Sequence, residues 1–171
     1  MPNQRSKFVQ QVRDRKPKHP EEAGYDLRLL NDDDDSAYRD AYDVLVKNKS
    51  IGVVIKFPKG GRRATSIMHS LFEAEAIHRM RHDPKLLALK RYAPTLLWHE
   101  PTTGVIVMPK YKPVKYGEYF EGFQQTFTCM VNDLVSEMRN EFDYGARNFG
   151  LNSRGHYVLL DAGLLGEVRK K

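Results

Sequence analysis

Ile51 to Phe57, IGVVIKF, constrains this chain more than any other stretch. Its β-branched residues favour a pleated, buried strand, and Pro58 with the Gly60-Gly61 pair ends it. One charge, Lys56, interrupts the run. A lysine inside a buried strand is costly unless an acid pairs with it or it holds a bound anion. The fold is therefore expected to bury this strand and to provide Lys56 with an acidic partner or a bound phosphate.

The helix that follows from Thr65 should stop before Pro84, with Met68, Leu71, Phe72 and Met80 on one side and Ile77 one turn beyond Glu73. Tyr25 to Leu30 reads as a short strand. The acidic run Asp32 to Asp35 and Ser36 resemble a helix start, and Tyr38, Ala41, Tyr42 and Leu45 recur at helical spacing, which predicts a helix over 34–47. Thr95 to His99 and Val105 to Met108 form a strand pair around the Pro101 to Gly104 turn. Phe123, Phe127, Met130, Val131, Leu134, Val135 and Met138 keep one helical face, on which Cys129 reads as core. Phe149 to Leu151 and Tyr157 to Leu160 are two strands around the turn Asn152 to Gly155.

A chain of 171 residues suits one well-buried core, and one cysteine excludes an intramolecular disulfide scaffold, consistent with a reducing, cytoplasmic setting. No apolar run approaches the roughly 18 residues of a membrane helix, and no signal-peptide region opens the chain, so no membrane role is expected. Net charge is +6, of which residues 1–20 supply +5 through Arg5, Lys7, Arg13, Arg15, Lys16 and Lys18 against Asp14. Residues 1–20 thus read as a basic, flexible arm suited to an acidic partner, and the near-neutral remainder argues against nucleic-acid binding.

Chemistry concentrates in Glu141 to Gly163, EFDYGARNFGLNSRGHYVLLDAG. Asp143 and Asn148 follow the long helix, and a hairpin leads to Asp161. A carboxylate and an amide brought beside a second carboxylate can hold Mg²⁺ through oxygen, leaving Asp143 to accept a hydroxyl proton. Lys59 to Arg63, KGGRR, is a weaker phosphate-cradle candidate, without the spacing of a P-loop. His78 and His82 stand at i and i+4 with no evident third metal ligand.

Asp, four residues, Asn, a turn and Asp-x-Gly occur here in the order and spacing of the protein kinase family, which this segment resembles. Tyr144 to Asn148 is similar to the tyrosine-kinase form of that loop. VVIK, ending at Lys56, resembles the family's third-strand lysine motif, and LFEAEAIHRM its helix C, with Glu73 seventeen residues after Lys56 as the pairing glutamate. VIVMPKY at 105–111 resembles the fifth strand and hinge, with Met108 as gatekeeper. The resemblance implies an α+β protein-kinase-like fold: an arm over 1–20, an N-lobe-like part over 21–111 with a reduced sheet and helix C, and a truncated C-lobe over 112–171. It implies ATP and Mg²⁺ as cofactors. Lys56, Met108, Lys110 and Tyr111 would bind the nucleotide, Glu73 would orient Lys56, Asn148 and Asp161 would bind the metal, and Asp143 would be the catalytic base. Taken singly, Lys56 reads better as a snorkelling edge lysine, Glu73 as a solvated helix residue, and Asp143, Asn148 and Asp161 as turn caps; their joint spacing favours the functional reading.

Several features depart from that family. No GxGxxG precedes Lys56, the usual His-Arg before the catalytic Asp is Glu141-Phe142, the Phe of Asp-Phe-Gly is Ala162, and eight residues follow Gly163, too few for an activation segment. The pattern is similar to short kinase-like proteins of phage or bacterial origin. Two functions follow as expectations: ATP- and Mg²⁺-dependent phosphoryl transfer to a hydroxyl on a protein substrate, or a pseudokinase-like module that binds a partner protein without turnover.

Overall fold

The computed structural model describes residues 3–30, 38–134 and 145–161, which form a mixed α and β protein with antiparallel sheets. The chain divides into two compact units, Met1–Ala74 with Thr95–Lys110, and Glu75–Pro94 with Tyr111–Lys171.

In the first unit, α1 (Gln4–Arg15) precedes β1 (Asp26–Leu29), β2 (Arg39–Val46) and β3 (Lys49–Pro58). Helix α2 (Arg63–His82) follows, its residues up to Ala74 belonging to this unit, then β4 (Trp98–Glu100) and β5 (Val105–Pro109). The five strands form one sheet in the order β1-β2-β3-β5-β4, and each neighbouring pair is antiparallel. Alternation along β3 explains the consecutive apolar residues before Lys56, because Val53, Ile55 and Phe57 enter one core cluster and Val54 another. Phe8 and Val12 of α1 join the first cluster with Val44, Val105 and Val107. Val54, Ile106 and Met108 make the second, backed by Ala41 and Leu96.

The first two corrections fall on the N-terminal segment and on β2. Residues 1–20 contain a docked helix rather than a flexible arm: Asn3 caps α1 by accepting the Ser6 N–H at 2.9 Å, and Phe8 and Val12, one turn apart, are fully buried. Residues 39–46 form a strand rather than the end of a helix over 34–47; residues 31–37, with the acidic run, lie outside the described residues. The spacing of Tyr38, Ala41, Tyr42 and Leu45 fits a helix, but Tyr42 and Val44 also alternate, and both pack on the α1 side of the sheet. Tertiary burial favours the period of two, and Lys47 (φ 50°) and Asn48 (φ 62°) close β2 to β3 in a two-residue turn that needs positive φ at both positions.

On α2 the buried stripe is Ser66, Ser70, Glu73, Ile77 and Met80, whereas Met68 and Leu71, expected inward, are exposed. Glu73 therefore shares the inward face with Ile77, and Glu75 is exposed.

The second unit holds a 3₁₀ segment (Pro84–Tyr92), β6 (Lys112–Pro113), α3 (Glu118–Leu134), β7 (Phe149–Leu151) and β8 (Tyr157–Leu159). Strands β6, β7 and β8 form a small antiparallel sheet. Aromatic rings knit this unit: Phe123 of α3 stacks on Tyr157 at 4.0 Å between centroids and meets Phe149 edge-on at 5.1 Å, and Phe127 meets Tyr92 at 5.1 Å. Cys129, expected in the core of α3, is exposed; Phe120, Phe127 and Val131 carry the buried face instead. Among the described residues, no helix is long and apolar enough to cross a membrane.

Candidate functional site

Lys56 sits on β3 opposite Ala41 of β2 and Ile106 of β5, so its side chain emerges on the same face as Val54 and Met108. Helix α2 brings Glu73 to it, with Lys56 Nζ 2.7 Å from Glu73 Oε1. Glu73 has no solvent exposure and Lys56 is 12% exposed, so each supplies the counter-charge that makes the other tolerable. Ser66 and Ser70, both buried, precede Glu73 on the inward stripe of α2.

A second cation reaches the same carboxylate. Arg39, the first residue of β2, forms a salt bridge through Nη1 to Glu73 Oε2 and is 10% exposed. Register explains the convergence: Ala41 lies opposite Lys56, and Arg39, two residues earlier, projects from the same side of the sheet. One carboxylate thus takes an ammonium on one oxygen and a guanidinium on the other. Sequence reasoning missed Arg39 because it was read on a helix; strand alternation over 39–43 would have put Arg39, Ala41 and Asp43 on the face of Lys56.

Toward the other end of that face, fully buried Asp43 accepts three bonds of 2.6 Å, from Arg28 Nη2, Ser50 Oγ and Lys110 Nζ. Burial alone would push its carboxyl up, but the bonds from Lys110, Ser50 and Arg28 outweigh burial and hold it below the usual carboxylate range. Lys110, expected at the nucleotide, is thus bonded to Asp43, and its backbone N–H donates to Gly52 C=O at 2.9 Å. Met108 is 2% exposed beside Val54 and Ile106. Of the KGGRR segment, Lys59 lies 3.6 Å from Asp40, and Arg63 reaches His19 at 3.2 Å.

In the second unit, the β7-β8 hairpin brings Asn148 and Asp161 to its open end. The Leu160 N–H donates to Asn148 C=O at 2.7 Å, next to Asp161. The expected turn closes the other end, where Asn152 Oδ1 accepts from the Arg154 and His156 N–H groups at 2.9 and 3.1 Å. Tyr111 packs tightly on this hairpin, since a Cβ at Gly150 would lie 2.6 Å from that of Tyr111, so only glycine fits there. Asp143, the expected base, lies outside the described residues, as do Ala162 and Gly163. Among the described residues, no three or more His, Cys, Asp and Glu side chains are grouped to hold a metal; the His78 and His82 rings lie 4.6 Å apart.

The donor sets suit the expected groups by chemistry. Lys56 and Arg39 offer N–H donors to phosphate oxygens, and Asn148 and Asp161 carry the hard oxygens that Mg²⁺ prefers. Compared with protein-family models and with curated proteins, the sequence matches none.

Proposed function

We propose that this protein binds ATP with Mg²⁺ and transfers its terminal phosphoryl group to a hydroxyl on a protein, on a protein-kinase-like scaffold. The observation that carries the reading is the buried ion pair between Lys56 and Glu73, a cation held at 2.7 Å on the face of a five-stranded sheet. Its support is that the lysine comes from the third strand and its partner from the helix that follows it, with Met108 on the fifth. Phosphoryl transfer asks a protein mainly for positioning and charge stabilisation. Lys56 would hold phosphate oxygens, Glu73 would fix the Lys56 ammonium, and Asp143 would accept the proton of the attacking hydroxyl. Asn148 and Asp161 would hold Mg²⁺, which supplies neutralisation of the phosphate charge when bound.

Incubating the full chain with γ-labelled ATP and Mg²⁺ tests this directly. Label should appear on the protein or on an added protein acceptor, and Asp143→Asn should lower the rate by about 10²- to 10⁴-fold while leaving ATP binding in place. Binding of ATP without transfer under every acceptor and metal tried would replace the enzyme with the partner-binding module.

A further inference from the structure

We infer that Arg39 is a second phosphate-binding side chain of this site, taking the place of the glycine-rich lid that the sequence lacks; the inference rests on the nucleotide-binding reading above. Three observations carry it. Arg39 and Lys56 come from adjacent strands, on one face, to opposite oxygens of the same buried carboxylate. Arg39 is 10% exposed, close to the 12% of Lys56, so the two cations are held at similar depth. Arg39 is also the first residue of β2, where the chain enters the sheet from the β1 to β2 connection.

A glycine-rich lid contacts phosphates through backbone N–H groups, which need glycine to let the chain approach closely. Residues 31–37, NDDDDSA, contain no glycine and four aspartates, a composition that repels phosphate. A guanidinium is the side chain best suited to compensate. It stays charged, and its five N–H donors form a planar fork that can meet a carboxylate along one edge and phosphate oxygens along another. Glu73 anchors the fork through Nη1, so Arg39 would meet an incoming phosphate with less loss of side-chain freedom than an unanchored arginine. Other nearby cations are worse placed: Lys59 is beside Asp40, and Lys110 is bonded to Asp43.

Glu73 also needs Arg39 for charge compensation, so a purely structural role must be separated from phosphate binding. Calorimetry on the full chain with adenosine, Mg-ADP and Mg-ATP, for wild type, Arg39→Gln and Arg39→Lys, does so. Arg39→Gln should weaken Mg-ATP binding by about 10- to 100-fold, the range for losing a charge-assisted hydrogen bond, and change adenosine binding less than about twofold. Arg39→Lys, which keeps the charge but loses the fork, should fall between. Equal weakening of adenosine and Mg-ATP would make Arg39 structural only, and unchanged Mg-ATP affinity would remove it from the site; either overturns the inference. A wild type that binds none of the three ligands overturns the nucleotide reading itself, and this inference with it. If melting shows that Arg39→Gln does not fold, Arg39→Lys decides alone, by whether its loss is larger for Mg-ATP than for adenosine.

Discussion

Asp43 shows how much of a charged residue's behaviour lies outside its neighbours in sequence. Among Ala41, Tyr42 and Val44 it looks like one polar position of an amphipathic segment, yet it is fully buried, and its partners lie 15, 7 and 67 residues away. Its carboxyl is held below the usual range in the folded protein, so folding favours the ionised form. The sign follows: the stabilisation is fully present above the carboxyl's unfolded pKa and is lost as pH falls through the lower, folded value. Asp43→Asn should cost about 1–3 kcal/mol at pH 7, because Arg28 and Lys110 lose a charged acceptor. Urea denaturation at pH 7 and near pH 3 checks this, and the gap between wild type and variant should shrink at the lower pH. A gap unchanged between the two pH values would mean that the Asp43 charge does not contribute.

Helix α1 makes the corresponding point about elements. Its residues are mostly polar and basic, which argues for a solvated arm, but two apolar side chains one turn apart suffice to dock it when a sheet presents Val44, Val53 and Val105. Its basic residues also serve the dock: Arg13 donates to Leu97 C=O at 3.3 Å, and Lys16 lies 3.4 Å from Glu100. Phe8→Ala should therefore cost about 3–5 kcal/mol, as for an aromatic removed from a packed core, and urea unfolding measures it. A solvated arm predicts almost no effect. Asn3 at a capping position and Phe8 and Val12 one turn apart are local signals that a reading from composition misses, because net charge says nothing about which face of a short helix is apolar. Strand β2 failed differently, since its residues satisfy both a helical and an alternating pattern, and only pairing with β1 and β3 decides between them.

Asp161 gives the widest test, because the nucleotide reading as a whole depends on its proposed metal-binding role. If Mg²⁺ carries phosphate contacts that a lid would otherwise make, nucleotide affinity should depend on both the metal and this carboxylate. Calorimetry on wild type and Asp161→Ala, each with and without Mg²⁺, should show strong binding only for wild type with the metal; four equal affinities would exclude the site. The sequence by itself determined that residues 51–57 form a buried strand, that a lysine inside it is costly unless paired or bound to an anion, that Ile77 stands one helical turn beyond Glu73, and that a turn joins β7 to β8. Each follows from local periodicity or from the cost of an unpaired charge, which short-range pattern reports directly. Only the tertiary structure decided that Arg39 shares Glu73 with Lys56, that Asp43 takes Lys110, and that α1 covers the sheet. Those pairings depend on strand order and register, set by contacts between residues far apart in the chain, and a local pattern does not contain them.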